Sequence, residues 1–165
     1  MIILGIDPGM SGAIAYYDTK LEKVAHVCDI PTEMIAVSGK TRPRVSAQGV
    51  RELLWAAGSS HLAIEKVGGL PGQSGSASFN FGRGVGVIIG LAAAFEYQIE
   101  EIAPVTWKAK LRVPKDKVAA AARASEMIPH LAYEWKAKAR ADRAEAAMIA
   151  VYARRYLWTK EVLGC

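Results

Sequence analysis

Cysteine is almost absent from this chain, and Cys28 and Cys165 are too few for the disulfide framework of a small secreted domain. Because they form no disulfide framework, we expect a protein of the reducing cytoplasm, and their spacing is also not that of a metal-binding set. Long apolar runs are also absent, because the longest, residues 85–95, is too short to cross a membrane and is broken by Gly86 and Gly90. No charged segment followed by an apolar one opens the sequence, so we expect no secretory signal.

The chain does contain enough apolar sequence for a sizeable core. Its 165 residues are 52% apolar, and no linker or internal repeat divides them, so we expect a single domain over residues 1–165. The net charge of +5 and the pI of about 9.3 are compatible with a polyanionic partner. The basic residues are crowded into two stretches, although such runs are usually solvated surfaces. The stretches contain Lys108, Lys110, Arg112, Lys115 and Lys117, and then Lys136, Lys138, Arg140 and Arg143.

Apolar patterning predicts an α/β domain whose five-stranded mixed sheet is flanked by helices. Three strands come first and would form an antiparallel meander, after which helices alternate with two further strands. Segment 31–43, which is bounded by prolines and contains glycine and serine, is predicted to be a surface loop. The predicted strands are 2–6, 12–17, 24–30, 61–67 and 98–103. The predicted helices are 46–57, 77–97, 114–127 and a last one from 135 or 141 to 157, with a turn or short helix at 104–110.

The long predicted helix 77–97 carries three glycines, Gly82, Gly86 and Gly90, on one face. Each interior glycine costs a helix about 1 kcal/mol relative to alanine. We therefore expect this face to pack very closely against another element, which is either the sheet or a second subunit.

Asp7 follows a short, unbroken apolar run, which is typical of a strand buried on both faces. Pro8 and Gly9 then predict a turn, so that Asp7 lies at the mouth of a core strand. A carboxylate there is costly unless a cation compensates it, and a metal ion is one such cation. The other interpretation is that Asp7 caps the backbone of its own turn.

Three further acids are candidates for the same site. Asp142 and Glu145 are three residues apart and share one face of the last predicted helix, among small alanines that permit close approach. Glu65 lies near the end of the fourth predicted strand. If the two strands are neighbours, the four carboxylates would repel one another, and magnesium ions would remove the conflict because Mg²⁺ prefers oxygen ligands. Two such ions would activate a water and stabilise the leaving oxygen of a phosphodiester. The alternative for the helical pair is a solvated polar face.

Five motifs, in this order, resemble those of the RuvC family of Holliday-junction resolvases, within the ribonuclease H-like (retroviral-integrase) superfamily. Each motif is weak by itself, whereas the ordered set is specific and spans nearly the whole chain. The motifs are Ile-Leu-Gly-Ile-Asp-Pro-Gly at 3–9, Ala-Ile-Glu-Lys-Val at 63–67, Phe-Gly-Arg-Gly-Val-Gly-Val at 81–87, Ala-Pro-Val-Thr-Trp-Lys at 103–108 and Ala-Asp-Arg-Ala-Glu-Ala-Ala at 141–147.

The resemblance implies a ribonuclease H-like fold and a homodimer that nicks opposed strands of a four-way DNA junction, leaving 5′-phosphate and 3′-hydroxyl ends. It carries the family's metal ligands onto Asp7, Glu65, Asp142 and Glu145, which would hold two Mg²⁺ ions, with Mn²⁺ as a substitute. Asp7 would bridge the ions, and Glu145 stands where the family often has aspartate. The resemblance also implies a bacterial cell or a phage-infected host, no membrane and no small-molecule cofactor.

The expected DNA contacts are carried over from the same resemblance. The family keeps DNA-binding lysines where this chain has Lys108, Lys115 and Lys117, and Arg83 is a further candidate. Family members often carry an aromatic wedge after the second acid, whereas this chain has Leu70 there, with Phe79 and Phe81 as other candidates.

Three alternatives to a junction resolvase remain open at this point. A ribonuclease H-like nuclease could act on other branched or flap DNA, because a glycine-rich segment replaces the aromatic wedge. A non-catalytic junction-binding module could keep the fold, although the intact acid set argues against it. An actin-like sugar kinase also begins with strand, Asp-x-Gly and strand, but the chain is too short for its two lobes.

Overall fold

The computed structural model describes residues 1–37, 39–68, 72, 74–137 and 140–159. Seven strands and five α-helices follow one another along these residues, together with a 3-10 helix at Pro129–Trp135 and a π-helical segment at Ala153–Leu157. The strands are β1 Ile2–Asp7, β2 Ala13–Asp18, β3 Lys23–Asp29, β4 Thr32–Val37, β5 Lys40–Val45, β6 His61–Glu65 and β7 Gln98–Ile102. The helices are α1 Ala47–Ala57, α2 Gly75–Ala94, α3 Pro104–Leu111, α4 Lys117–Met127 and α5 Ala141–Tyr152.

β1 lies at the centre of the main sheet, whose strand order is β3-β2-β1-β6-β7. β1, β2 and β3 pair antiparallel, whereas β6 pairs parallel with β1 and β7 pairs parallel with β6. The predicted five-stranded mixed sheet, with its antiparallel meander first, is therefore confirmed. A central strand is covered on both faces, which explains why the β1 sequence is apolar without alternation.

The two faces of the sheet pack against different helices. Leu4 and Ile6 of β1 join a buried cluster with residues of α1 and α2, such as Leu54 and Ile88. Ile3 points to the opposite face and joins a second cluster, which is formed with α3, α4, α5 and the 3-10 helix. Side chains alternate along a strand, so Gly5 and Asp7 share the face of Ile3 and are directed toward α5.

Gly5 allows α5 to lie directly on the middle of β1. A Cβ atom at this position would lie 2.3 Å from the backbone nitrogen of Ala150 and 2.5 Å from the carbonyl oxygen of Ala146. Ala146, Ala147 and Ala150 are themselves completely buried. Because the residues that meet on β1 and α5 are small, the two backbones touch directly. This contact fixes the distance between α5 and the sheet.

Segment 31–43 is not the surface loop that its composition predicts, because β4 and β5 pair there as a separate antiparallel hairpin. Thr32 pairs with Val45 and Ile35 pairs with Arg42. The prediction was wrong because Pro43 was interpreted as a loop signal. An isolated two-stranded hairpin has only edge strands, and edge strands tolerate proline.

Two helix boundaries also differ from the sequence prediction. α4 begins at Lys117 rather than at Pro114, because the Asp116 carboxylate accepts a hydrogen bond from the backbone N–H of Ala119 (2.9 Å) and caps the helix there. α2 spans Gly75–Ala94 and is capped by Ser74, so it starts and ends earlier than predicted.

The glycine face of α2 does not pack on the sheet. A Cβ atom built at Gly82, Gly86 or Gly90 has no other atom within 4 Å among the described residues. The residues of α2 that face inward are Gly84, Ile88 and Ala92 instead.

α2 is long and apolar enough to span a membrane by length and composition alone, which is weak evidence because soluble core helices pass the same test. α2 packs against α1, β5 and β7.

Gly5→Ala should destabilise the protein by about 2 kcal/mol or more, because a methyl group cannot fit between two backbones held this close. The matched control is Gly75→Ala, where the added methyl group meets nothing within 4 Å. The control should change stability by about 1 kcal/mol at most, and in the favourable direction. Urea unfolding of both variants measures the difference, and equal stabilities would contradict the packing described here.

Candidate metal centre

The main sheet places Asp7 and Glu65 side by side. β1 and β6 are parallel, with Ile6 opposite Ile64, so the next residue of each strand continues the same register. Both acids stand at the carboxyl ends of their strands. Both are also on the face covered by α5, since Asp7 follows Gly5 by two residues and Glu65 follows the buried Ala63 by two.

α5 brings the two remaining acids to this edge of the sheet, with Asp142 in its first turn and Glu145 almost one turn further on. One carboxylate oxygen from each of Asp7, Glu65 and Glu145 lies within 4.8 Å of the other two. We call these three residues the acidic cluster. Asp142 is not a member, although it is close enough to raise the pKa of Asp7. Three of the four predicted acids therefore converge, and the fourth lies beside them.

The electrostatics of the acidic cluster are unfavourable without a cation. The pKa of Asp7 is raised from 3.8 to about 8, mainly by burial and then by the carboxylates of Glu145, Asp142 and Glu65, in that order. Burial also raises the pKa of Glu65. Carboxylic acids that ionise with such difficulty need a positive charge between them before they can all be ionised at neutral pH.

The acidic cluster could hold a metal ion. It offers three oxygen donors, all partly buried, and neither histidine nor cysteine joins the group among the described residues. Hard divalent cations prefer such all-oxygen sets and retain open positions for water and phosphate oxygens. The raised pKa of Asp7 supports the same conclusion, because a bound cation would stabilise the ionised form of this carboxylate.

Two of the lysines predicted to contact DNA face the acids directly. Lys108 Nζ lies 3.1 Å from Glu145 Oε2, and Lys117 Nζ lies 3.9 Å from Asp142 Oδ1. Lys117 is much the more exposed of the two lysines, with 74% of its side chain accessible. The structure therefore places both lysines at the edge of the acidic cluster.

The other predicted DNA contacts lie elsewhere. Lys115 is exposed between α3 and α4, and Arg83 is exposed on α2. Phe79 is 70% exposed near the start of α2. Leu70 lies outside the described residues.

The whole architecture resembles solved structures of RuvC from Thermus thermophilus. RuvC of T. thermophilus in complex with a Holliday junction substrate superposes with a TM-score of 0.61 at 16% sequence identity, over 93% of this chain and 94% of that one. A second T. thermophilus RuvC structure gives a TM-score of 0.55 at 14% identity, over 93% of this chain and 95% of that one. The chain has the RuvC fold. No protein-family model matches the chain, and no curated protein matches it in sequence.

Within this RuvC fold, Trp107 orients one of the acids. Its indole N–H donates a hydrogen bond of 2.8 Å to Glu65 Oε2, and the side chain is completely buried. This bond lowers the pKa of Glu65 and opposes the effect of burial. The Ala-Pro-Val-Thr-Trp-Lys motif contains Trp107, but sequence reasoning selected only its lysine, because a tryptophan is ordinarily interpreted as core.

Arg143 is a second residue that sequence reasoning assigned differently, as part of a solvated basic stretch. Its guanidinium binds both carboxylate oxygens of Asp29, at 2.6 and 2.8 Å, and also binds Glu134. These hydrogen bonds raise the pKa of Arg143 further. Since Asp29 ends β3 and Glu134 lies in the 3-10 helix, Arg143 ties the start of α5 to two neighbours. It thereby fixes the helix that carries Asp142 and Glu145.

The raised pKa of Asp7 predicts how the metal-free protein responds to pH. The folded state retains the Asp7 proton at pH values where the unfolded chain has already lost it, so stability falls as pH rises from about 4 toward 8. Each unit of separation between the two pKa values corresponds to about 1.4 kcal/mol, and the total loss is on the order of a few kcal/mol. Urea unfolding in EDTA at pH 5 and pH 8 measures this loss.

Asp7→Asn should flatten this pH dependence, because asparagine does not titrate. Asp18→Asn is the matched control, since Asp18 is the last residue of β2, does not belong to the acidic cluster, and has its pKa lowered by backbone hydrogen bonds. The control should keep the pH dependence of the parent protein. Identical pH dependence in Asp7→Asn and the parent protein would show that Asp7 is not the group responsible.

Proposed function

We propose that this chain is a magnesium-dependent endodeoxyribonuclease that resolves four-way DNA junctions by paired, symmetric nicks. The observation that carries the proposal is the acidic cluster, in which three carboxylates from three separate elements converge at one edge of the sheet. The RuvC fold supports the choice of substrate, because one of the similar structures is RuvC with a Holliday junction substrate.

In this proposal Asp7, Glu65 and Glu145 hold the metal, and Asp142 completes the ligand set from the rim of the cluster. Bound magnesium, for which manganese can substitute, supplies an activated water and stabilises negative charge on the phosphodiester. Trp107 keeps the Glu65 carboxylate oriented through its indole hydrogen bond. Lys108 presents a cation at the same edge, where a phosphate group next to Glu145 would meet it.

The remaining basic residues would hold the DNA rather than take part in the chemistry. Lys115, Lys117 and Arg83 are exposed cations for which phosphate contacts are proposed. Such contacts position the nucleic acid but do not distinguish one base sequence from another.

Asp7→Asn should abolish cleavage of a synthetic four-way junction and preserve binding to it. The cleavage rate should fall by several orders of magnitude, because the substitution removes the Asp7 carboxylate as a metal ligand. Affinity should hold or rise, since a negative charge near phosphates is removed. Single-turnover cleavage in Mg²⁺ and gel-shift binding in Ca²⁺, on the same junction, measure the two quantities. Near-normal cleavage by Asp7→Asn would refute the metal assignment and support a simple turn-capping role.

The choice of substrates in the same assay separates the alternatives. Asp18→Asn should cleave like the parent protein, which controls for the loss of one carboxylate. A flap and a three-way junction test the substrate range, because a resolvase should cut the four-way junction preferentially. Binding without cleavage by the parent protein would favour a non-catalytic junction-binding module.

We further propose that the protein acts as a homodimer formed through the exposed face of α2. Gly82, Gly86 and Gly90 leave open space on this face, and Phe79 is 70% exposed beside it. An apolar helix face without side chains allows two backbones to approach closely. A two-fold dimer also supplies the two active sites that symmetric nicking requires.

Gly86→Leu should shift the equilibrium from dimer to monomer, because the leucine occupies the space that the second backbone would use. Ala122→Leu, at an exposed position of α4, adds a leucine away from this face and should leave the dimer intact. Analytical ultracentrifugation measures both variants. A parent protein that is monomeric at concentrations where it resolves junctions would contradict the proposal.

A further inference from the structure

The β4–β5 hairpin and the first two turns of α2 border a cavity of about 720 Å³. The hairpin wall contains Ile35, Lys40, Arg42 and Arg44, and the α2 wall contains Ser76 and Asn80. We call this cavity the hairpin cleft. Its position is separate from the acidic cluster, and none of its basic residues was a predicted DNA contact, although Phe81, which also lines it, was a candidate wedge.

The hairpin arranges its cations in a row. Lys40, Arg42 and Arg44 alternate along β5, so their side chains share one face of the hairpin and line the cleft together. Residues two apart on a strand are about 6.8 Å apart. Such a row matches a ligand with repeated negative charges better than it matches a single small anion.

The charge of this row is largely uncompensated. Arg44 forms an ion pair with Glu33, with 2.6 Å between Nε and Oε1. Lys40 and Arg42 form no ion pair within the part of the chain that the structure describes, and no carboxylate lines the cleft. Ser76 and Asn80 add neutral hydrogen-bonding groups on the opposite wall. The lining is therefore that of an anion site.

The base of the hairpin is fixed against the rest of the fold. The Ser46 N–H donates a hydrogen bond to the Pro31 carbonyl oxygen (2.8 Å), which closes the hairpin at its ends. Val45 packs against Gly84 of α2 so closely that a Cβ on this glycine would lie 2.8 Å from the valine side chain. β5 and α2 are consequently fixed against each other by packing at this end of the cleft.

The hairpin cleft also adjoins the turn that carries Asp7. Met10, three residues after Asp7, lines the cleft. Phe81, another lining residue, lies against the same turn, with its ring 3.6 Å from the position of a Cβ on Gly9. A polyanion that reaches the acidic cluster can therefore continue past Met10 into the row of cations.

From this arrangement we infer that the hairpin cleft binds the sugar–phosphate backbone of the DNA next to the cleavage site. Lys40 and Arg42 contact successive phosphates. Arg44, which is paired with Glu33, adds positive charge beside them. This inference rests on the proposed nuclease function and adds a DNA surface that adjoins the Asp7 turn through Met10 and Phe81. The contacts are to phosphates, so they contribute affinity without base preference.

The test is a double variant, Lys40→Ala with Arg42→Ala, and its matched control is Lys23→Ala with Arg51→Ala. Both control residues are exposed cations on other elements and make no ion pair among the described residues, so the two variants have equal net charge. Junction and duplex affinities are measured in Ca²⁺ over a range of salt concentrations. The hairpin variant should bind roughly tenfold more weakly, with a salt slope smaller by about two, because two phosphate contacts are lost. Both variants should keep the thermal midpoint of the parent protein.

The outcomes separate this inference from the proposed function. If the parent protein cleaves junctions and the hairpin variant binds DNA like the control variant, the inference fails and the nuclease function stands. If the parent protein cleaves nothing but the hairpin variant still loses DNA affinity and salt slope, the surface stands and the nuclease function fails. Absence of DNA binding by the parent protein, or stronger hairpin-dependent binding of polyglutamate than of DNA, would overturn the inference.

Discussion

The contact between Gly5 and α5 is the constraint on which the candidate site depends. α5 lies on β1 at backbone distance, because Gly5 has no side chain and α5 presents Ala146 and Ala150 to it. Two residues after Gly5 the strand ends in Asp7, and slightly earlier along α5 lies Glu145. A larger residue at position 5 would lift the helix and separate the two carboxylates. The packing of small residues in the core therefore determines whether the acids can meet.

Bringing the acids together has an electrostatic cost that the surrounding residues only partly offset. Lys108 and Lys117 pair with Glu145 and Asp142, and the indole of Trp107 donates to Glu65. Asp7 makes no comparable side-chain hydrogen bond among the described residues, and its pKa is the one raised to about 8. Asp7 is thus the carboxylate of the cluster whose negative charge is least compensated by neighbouring groups. This is where a divalent cation would contribute most to stability, and also where the proposed mechanism needs it.

Much of this arrangement could be predicted from the sequence, because it depends on local patterns. The apolar run before Asp7 predicted a central strand, and the three-residue spacing of Asp142 and Glu145 predicted one helix face. The ribonuclease H-like fold and a metal site shared by the four acids followed once the motifs were compared with a family. The RuvC fold of the structure agrees with that comparison.

The features that were missed depend on contacts between residues far apart in the chain. Arg143 belongs to a stretch that appears solvated, and only the folded chain brings Asp29 and Glu134 to it. The hairpin was missed because Pro43 disfavours a strand unless the strand is an edge. The α2 glycines were expected to pack closely, but whether against the sheet or against a second chain depends on the orientation of the helix, which composition does not encode.

The central claim is that Asp7, Glu65 and Glu145 form a divalent metal site. The most direct measurement is a crystal structure of the protein soaked in Mn²⁺, with anomalous diffraction recorded at the manganese absorption edge. We predict an anomalous peak between these three carboxylates, coordinated by an oxygen of each, and no such peak in crystals of Asp7→Asn. A parent crystal that binds Mn²⁺ only at other positions, or a peak that survives in Asp7→Asn, would contradict the account.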